Sequence, residues 1–501
     1  MMRVLAHEMR RGEAGKAAVL AAAAGVWYLA SADPATSDWI GWWNQASIKV
    51  QVYGVIVMGS LMSAAAAWSA GRAHRTGTRA WADTTPRGGL PQALLLWGAA
   101  WLWSLVAYAV LTAVAFARTA AVSEVTEPVW SPLVLALAMT GLQIAAGVAA
   151  GTLLPSRIVA PATGVFWYGA FVLLAFAPGL PVARLLPALD EHWDAAFRPH
   201  TVRLLVAAVW CAGAALVLLA LPALVRRAVV GPGWAAAAPA AAALAAGGLL
   251  LASPAAGPDS FWATRTPQPA GASCVTHGRT TACLWPADRH LLPQAGAAAR
   301  TVDRAVGRLP GFHHRFHETG LRPDGPEGAE LPVNRPVVDR QTLTEAMLDA
   351  SLPASPPGCG PHVLAETGGY PDLFLVQAVL RSRAGLPAPF YGDRFSAAVE
   401  RILKAPAADQ DRWLSGAATA AGACRPVPAL PPAVPAVPSG AGTARAVPAV
   451  SADPGAAPPA DLGATPHADA GAARPVPGPP SGPGAARPVP GPPSGPGAAR
   501  P

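Results

Sequence analysis

The most reactive side chains in this sequence are its cysteines. Four of the five, Cys274, Cys283, Cys359 and Cys424, follow the last long apolar stretch of the chain. An even number of cysteines in one segment is typical of disulfide bonds formed in an oxidising compartment. A four-cysteine zinc site is the alternative, but the spacings do not resemble the paired CxxC pattern of such sites. We therefore predict two disulfides and no metal.

Local geometry favours one pairing of these cysteines. The stretch from Ser273 to Trp285 predicts a β-hairpin with Gly278-Arg279 as a type II′ turn, glycine first. Counting outward from the turn places Cys274 opposite Cys283 at a non-hydrogen-bonded position, where Cβ atoms are about 4.5–5 Å apart. That separation suits a disulfide. The remaining pair, Cys359 with Cys424, would close a loop of about 65 residues, worth roughly 4 kcal/mol in the chain-entropy model.

His313, His314 and His317 form the one cluster that resembles a catalytic site. On a helix, His313 and His317 would share a face and bind a metal. His317-Glu318 lacks the second histidine of the HExxH zinc-protease motif. No serine lies in a GxSxG motif, and Gly12–Lys16 lacks the Ser or Thr of a phosphate loop. We therefore expect no enzyme activity and no cofactor, with a membrane-anchored hydrolase as a minor hypothesis.

Composition identifies the setting of these residues. The chain is 52% hydrophobic and 13% charged, whereas soluble proteins average about 25% charged residues. The net charge is +8, and nearly all of the basic residues are arginines; the lysines are Lys16, Lys49 and Lys404. Many of these arginines flank apolar segments, where they set membrane topology, so we expect no nucleic-acid partner.

Seven segments of the first half are apolar over roughly the 20 residues that a bilayer core requires. A backbone inside the bilayer core must satisfy its own hydrogen bonds, so each segment is predicted to be a helix. The segments are Ala17–Ala32, Ile48–Ala70, Leu90–Ala117, Pro132–Leu154, Val159–Pro178, Val202–Val225 and Trp234–Leu251. Met1–Lys16 predicts an amphipathic helix on the inner surface, in contact with membrane lipids, and not a cleaved signal peptide.

Orientation follows from the Lys and Arg residues of the short loops. Most of them fall on the side of the N-terminus, which predicts a cytoplasmic N-terminus in the cell membrane. An odd number of spans then places the C-terminus outside, where disulfides form. Four tryptophans fit an aromatic belt on the outer side: Trp39, Trp42, Trp43 and Trp130.

The predicted spans carry almost no ionisable residues. Gln143 and Cys211 are their main polar groups, which argues against a carrier driven by protons or sodium ions. Gly147 and Gly151 form a GxxxG pair that suits close packing against a neighbouring helix.

The segment after the last span predicts a small helical domain. Leu291 to Leu309 has apolar residues at helical spacing, and Thr342 with Glu345 matches a capping box. Pro371–Ala384, Phe395–Leu403 and Ala408–Cys424 are further predicted helices. The tail is rich in Pro, Ala and Gly, which is typical of disorder, and its 13-residue repeat Gly471–Pro483 recurs at Gly484–Pro496.

Two cytoplasmic stretches resemble a family. HEMRRG (His7–Gly12) resembles the E-x-R-R-G segment of type-2 ABC exporter permeases from high-GC bacteria. The stretch Ala66–Arg87 is similar to their A-W-x-x-G-R-x-R-R-G run and its following E-L-L-x-x-T-P-R, with Arg79-Ala80-Trp81 standing where E-L-L is expected. CLWP (Cys283–Pro286) resembles a C-[VL]-W-P motif of uncharacterised permease-like proteins of such bacteria.

The resemblance implies a function and a partner. Such a permease dimer, homomeric or heteromeric, exports a substrate and binds a separate ATPase subunit through its cytoplasmic segment. The residues carried over to that coupling segment are Arg72, Arg75, Arg79, Trp81, Pro86 and Arg87. A non-transporting scaffold or sensor acting through the outer domain is the alternative hypothesis. The family usually has six spans with both ends inside, from which a seventh span and an outer domain depart.

The predicted fold class is an all-α polytopic membrane protein with about seven transmembrane helices. A small, mainly helical extracytoplasmic domain bearing one β-hairpin follows, and then a disordered Pro-rich tail. The predicted divisions are the amphipathic segment 1–16, the permease-like domain 17–230, the seventh helix 231–256, the disulfide domain 257–425 and the tail 426–501.

Overall fold

Apolar helices form the first half of this chain, and a mixed region of helices and short strands follows them. The structure is a computed structural model. It describes residues 2–34, 36–78, 89–123, 128–154, 156–177, 180–189, 195–225, 234–253, 261–269, 271–321, 328–333, 335–354, 356 and 358–432. We call residues 261–432 the C-terminal domain. The predicted tail repeats lie outside the described residues.

The helices of the first half follow the predicted apolar segments closely. They are α1 Met2–Arg11, α2 Glu13–Ser31, α3 Trp43–Ala70, α4 Gly89–Ala120, α5 Ser131–Leu153, α6 Val159–Phe176, α7 Thr201–Val225 and α8 Trp234–Ala252. A one-turn helix, Arg72–Arg75, follows α3. Among the described residues, six helices, α2–α7, are long and apolar enough to cross a membrane. The chain is therefore a multi-pass membrane protein.

Helix α8 differs from the six candidate spans α2–α7. Its described apolar part, Ala238–Ala252, is shorter, and it is not one of the six candidate spans. It packs along α7 through small residues: a Cβ at Gly213 would lie 2.8 Å from the Pro239 carbonyl oxygen, and one at Gly247 would lie 3.0 Å from the Trp210 ring. The predicted seventh span thus corresponds to a helix lying against α7.

The polar side chain of Gln143 lies where helix α3 is irregular. Residues Gly54–Met58 form a π-helical turn within α3, and the Gln143 amide donates to the Val55 carbonyl at 2.9 Å. A π turn changes the regular backbone hydrogen bonding, and a buried side-chain donor satisfies a carbonyl there. The predicted close packing of the GxxxG pair is present, because side chains at Gly147 and Gly151 would collide with the α3 backbone at Ser63 and Ala67.

The C-terminal domain contains more strand than one hairpin. Its strand β2 Ala263–Arg265 pairs antiparallel with β1 Phe197–Pro199, which lies outside the domain in the segment before α7. A four-stranded sheet contains β3 Ser273–His277, β4 Thr280–Leu284, β5 Arg315–Glu318 and β6 Ala329–Leu331, in that order. The β3–β4 pair is antiparallel, and β4–β5 and β5–β6 are parallel. The predicted hairpin is the β3–β4 pair, with Cys274 opposite Cys283. The additional strands were not predicted, because strands of three or four residues leave almost no periodic signal.

Five helices share one hydrophobic core with this sheet. They are α9 Leu292–Val306, α10 Arg340–Ala350, α11 Asp372–Arg383, α12 Asp393–Lys404 and α13 Ala407–Gly422. The predicted capping box at Thr342 and Glu345 is wrong. The N-cap of α10 is Asp339, whose carboxylate accepts from the Thr342 amide at 2.7 Å, and this bond lowers the pKa of Asp339 below its usual value.

The predicted aromatic belt is wrong for three of its four tryptophans. Trp39, Trp42 and Trp43 are all buried within the protein, and only Trp130 is exposed. A tryptophan next to a span has the composition of a membrane-interface residue, but it can equally pack under a neighbouring domain. Here the C-terminal domain covers Trp42.

Candidate functional site

The two stretches that carry the permease resemblance meet at one end of the helices. The Arg72 guanidinium lies 3.2 Å from a carboxylate oxygen of Glu8, which belongs to α1. The indole of Trp103 on α4 donates to the Met9 carbonyl at 3.0 Å and holds α1 against the other helices. His74 contacts the Thr152 carbonyl at 3.1 Å at the end of α5. Residues 64 positions apart in the sequence are therefore neighbours.

Arg75 lies beside this ion pair. Its guanidinium stacks over the Trp68 ring at 3.8 Å and donates to the Trp68 carbonyl at 2.7 Å. Desolvation, followed by the like charges of Arg72 and Arg157, lowers the pKa of Arg75 below its usual value. We call Glu8, Arg72, Arg75 and Arg157 the arginine surface; its three arginines outnumber its one carboxylate.

The other predicted residues of the coupling segment are Arg79, Trp81, Pro86 and Arg87. They lie outside the described residues. The structure therefore brings together the beginning of that segment and the first helix, and the role of the segment remains a prediction.

At the opposite end of the helices, Trp42 joins the C-terminal domain to the membrane helices. The residue precedes α3, yet its side chain is 3% exposed and belongs to the hydrophobic core of the C-terminal domain with Leu284 and Leu291. Its indole N–H donates to an Asp288 carboxyl oxygen at 2.7 Å. We call Trp42, Asp288 and Glu318 the junction.

Asp288 and Glu318 are two interacting acidic groups in this buried region. Asp288 is 0% exposed and Glu318 is 2% exposed. Complete burial raises the pKa of Asp288 above its usual range, while hydrogen bonds with Glu318 and Trp42 and the nearby His290 act in the opposite direction.

The CLWP motif positions both acidic groups. The Trp285 backbone N–H donates to Glu318 at 2.8 Å and its indole donates to the Thr319 carbonyl at 3.1 Å. Pro286 then begins the 3₁₀ turn that contains Asp288. A second connection is the β1–β2 sheet, which pairs Phe197 with Arg265. Sequence reasoning missed the junction, although the CLWP motif just before Asp288 was a signal.

Both predicted disulfides are present. Cys274 is bonded to Cys283 with a Cα–Cα distance of 4.1 Å, and Cys359 is bonded to Cys424 at 5.6 Å. Among the described residues, the one group able to offer three metal ligands is Cys359, Cys424 and His362. Its two sulfur atoms are joined to each other, so the four cysteines do not form the alternative zinc site.

The histidines do not share a helical face. His313 and His314 precede β5, and His317 lies on that strand. The expectation of a shared helical face is wrong because these residues lie in and before a short strand and not in a helix. Burial, Arg279 and His313 lower the pKa of His314, although Leu309 and Asp303 act in the opposite direction. The three histidines do not form a three-ligand group within the described part of the chain.

Comparison with protein families, with curated proteins and with solved structures finds no match for this chain. The class that the fold defines is a multi-pass membrane protein with a disulfide-bonded C-terminal domain.

Proposed function

We propose that this protein is the membrane subunit of an ABC-type exporter that works with a separate ATPase. The observation that carries this proposal is the ion pair between Glu8 and Arg72. It joins the two stretches that resemble type-2 permeases into one surface. Because a folded surface rather than a single loop bears the resemblance, docking of another subunit there is a reasonable function for it.

The charges of the arginine surface fit an acidic partner. Arg72 is 48% exposed at its side chain even while paired with Glu8. Arg157 is exposed and adds a further positive charge. Excess positive charge also suits the anionic headgroups of an inner leaflet. The proposal assigns the surface to an ATPase because the resemblance lies in these same residues.

The proposal includes seven crossings, with the N-terminus in the cytoplasm and the C-terminal domain outside. Helix α8 runs antiparallel to α7, since Gly213 faces Pro239 and Ala243, whereas Trp210, earlier in α7, faces Gly247, later in α8. Its end is held by Arg184, which donates to the Ser253 carbonyl at 2.9 Å from the loop that precedes α7. The chain leaves α7 at its C-terminal end, and α8 ends beside the loop that precedes the N-terminal end of α7. In the proposal, α8 therefore crosses the membrane in the direction opposite to α7.

Thiol labelling in intact cells tests this topology. A membrane-impermeant maleimide should label Cys359 and Cys424 only after a reductant has opened their disulfide. Cys211 is buried within α7 and gives the background. Labelling that appears only after the cells are permeabilised would contradict an external C-terminal domain.

Co-purification tests the proposed partner. The full-length protein in detergent should retain an ATPase subunit encoded in the same operon, and the paired changes Arg72→Glu and Arg75→Glu should release it. Arg401→Glu is the matched control, because Arg401 is an exposed, ion-paired arginine of the C-terminal domain. Failure to bind any such ATPase under any nucleotide condition would refute the proposal.

The junction favours a second candidate function, that of a membrane scaffold or sensor. Trp42 ties the membrane helices to the core of the C-terminal domain, so a change in that domain would reach α3 directly. This candidate predicts that removing residues 260–501 abolishes the complementation of a deletion strain. It also predicts that Arg72→Ala with Arg75→Ala preserves complementation, and the reverse pattern would exclude it.

A further inference from the structure

The last described residues fold back along helix α13. Cys424 adopts a left-handed φ of +53° after the helix and is bonded to Cys359. The chain continues as Arg425-Pro426-Val427-Pro428, or RPVP. The Arg425 amide donates to the Ala420 carbonyl at 2.9 Å, and the Trp413 indole donates to the Pro428 carbonyl at 3.1 Å. The segment therefore runs antiparallel to α13.

The spacing of these contacts fits an extended proline-rich segment. Polyproline II rises about 3.1 Å per residue, so the steps from Arg425 to Pro428 cover about 9 Å. The α13 residues from Ala420 back to Trp413 rise about 10 Å. An extended segment and one face of the helix thus match in length.

Val427 is the anchor of the segment. Its side chain is 6% exposed, and its backbone N–H donates to a carboxylate oxygen of Asp372 at 3.2 Å. Proline has no N–H, so a proline at this position could not make that bond. The prolines on either side favour the extended backbone. The Pro-Val-Pro pattern is therefore the one that this site requires.

Gly416 opens the site for the Pro428 ring. A Cβ at Gly416 would lie 2.9 Å from Pro428 Cγ. Glycine is unfavourable in the interior of a helix, so its presence in α13 suits a surface that another chain segment must approach closely. We call the site formed by Asp372, Trp413 and Gly416 the RPVP groove.

The same four residues occur twice more in the sequence, at 474–477 and 487–490. We propose that the RPVP groove is a binding site for Arg-Pro-Val-Pro segments and that these two copies, from a second molecule, are its ligands. The groove holds one segment at a time and the chain carries three. We call Arg425–Pro428, which occupies the groove of its own chain, the resident segment; the other two copies are thus available to other molecules.

The recognition element is those four residues, because the Gly-Ala that also precedes each copy forms, at Gly422 and Ala423, the end of helix α13 and its C-cap. In the resident segment they are followed by Ala429 and the partly buried Leu430, whereas the later copies are followed by Gly-Pro. The two copies are 13 residues apart, and a chain of that length can extend to at most about 45 Å, which is enough to reach grooves on different molecules. The proposal does not depend on transport.

An incoming copy must compete with the resident segment. A segment tethered by a short linker has an effective concentration of about millimolar, so it strongly disfavours a single incoming copy. Two adjacent copies offset this disadvantage where two grooves lie close together, because binding of the first copy then raises the local concentration of the second at the other groove. The proposal therefore predicts weak exchange in the unaltered protein and strong binding once the resident segment is disabled.

Fluorescence anisotropy with a labelled peptide of residues 484–496 tests the proposal. Two full-length receptors are compared in detergent. The first carries Val476→Ser and Val489→Ser, so that only the resident segment competes; the second also carries Val427→Ser. We expect the peptide to bind the second receptor at least about tenfold more tightly, which corresponds to about 1.4 kcal/mol.

Two matched changes assign the binding to the groove. Gly416→Ala added to the second receptor should abolish binding. Gly422→Ala in the same helix should not, because its Cβ would make an ordinary 3.5 Å contact with Pro353. A peptide with Pro in place of Val489 should bind at least about tenfold more weakly, since it lacks the N–H that Asp372 accepts.

The peptide change keeps the test decisive even if Val427→Ser loosens the domain, because it leaves the receptor unaltered. Equal binding of the two peptides, or binding that persists in the Gly416→Ala receptor, would overturn the proposal. Absence of peptide binding to the second receptor up to millimolar concentration would overturn it as well. The resident segment would then be a structural strap only.

Discussion

The two ends of the membrane helices make their connections in different ways. At the junction, Trp42 and Asp288 are removed from water and form one hydrogen bond within a hydrophobic core. At the arginine surface, Glu8 and Arg72 pair while the arginine side chain remains about half exposed. Buried apolar area contributes most to stability, and exposed ion pairs contribute little. The junction is therefore expected to be the more stable connection of the two, and the proposed function assigns the exposed arginine surface to a partner.

Removing the Trp42 side chain should have the largest effect. We expect Trp42→Ala to lower the free energy of unfolding by about 3–5 kcal/mol, because it leaves a cavity in the core of the C-terminal domain. It also removes the indole N–H that donates a hydrogen bond to Asp288. Thermal unfolding of the detergent-solubilised protein measures this change. Trp27→Ala is the control, since Trp27 is 74% exposed, and equal losses in the two variants would contradict a buried attachment.

The arginine end depends on the close approach of α3 and α5. A leucine at position 151 would collide with the α3 backbone at Ala67, just before Arg72. We expect Gly151→Leu to cost about 1–3 kcal/mol through overpacking, measured by thermal unfolding. Gly169→Leu on α6 is the control, because an added Cβ there meets no atom within 4 Å. A Gly151→Leu variant as stable as that control would contradict the packing.

Stability at the junction should fall as pH rises. Burial raises the pKa of Asp288 in the folded protein, so its contribution is fully present below the ordinary aspartate value of about 3.9 and is lost as pH rises through the folded value. Asp288→Asn should remove this part of the pH dependence, because the asparagine side chain does not titrate. Its amide oxygen can still accept the hydrogen bond from the Trp42 indole. Unfolding measured from pH 4 upward tests the prediction.

Asp339 provides a control of opposite sign. Its pKa is lowered by the Thr342 amide, so its contribution is present above the ordinary aspartate value and is lost as pH falls. Asp339→Asn should therefore change the acid side of the profile and leave the loss of stability above pH 4 unaltered. A slope that persists in Asp288→Asn would assign the effect to another group.

Local signals in the sequence predicted one part of this structure and missed another. Long apolar runs located α2–α7, and a two-residue turn located the Cys274–Cys283 bond, because both depend on neighbours in the chain. The junction depends on Trp42 reaching Asp288, 246 residues away. A tryptophan beside a span gives no indication of such a partner. Strands β5 and β6 were missed for a related reason, since residues distant in sequence complete their sheet.

The smallest expected effect is at the arginine surface itself. A double-mutant cycle of Glu8→Ala and Arg72→Ala should give a coupling energy of about 0.2–1 kcal/mol, as for other exposed ion pairs. Added salt should reduce it, because the pair is accessible to counterions. The exposed pair of Lys404 and Glu400, one helical turn apart, is the internal standard. A coupling well above that standard would mean that the surface is held together for stability, and it would weaken the contrast with the junction from which the docking proposal draws its support.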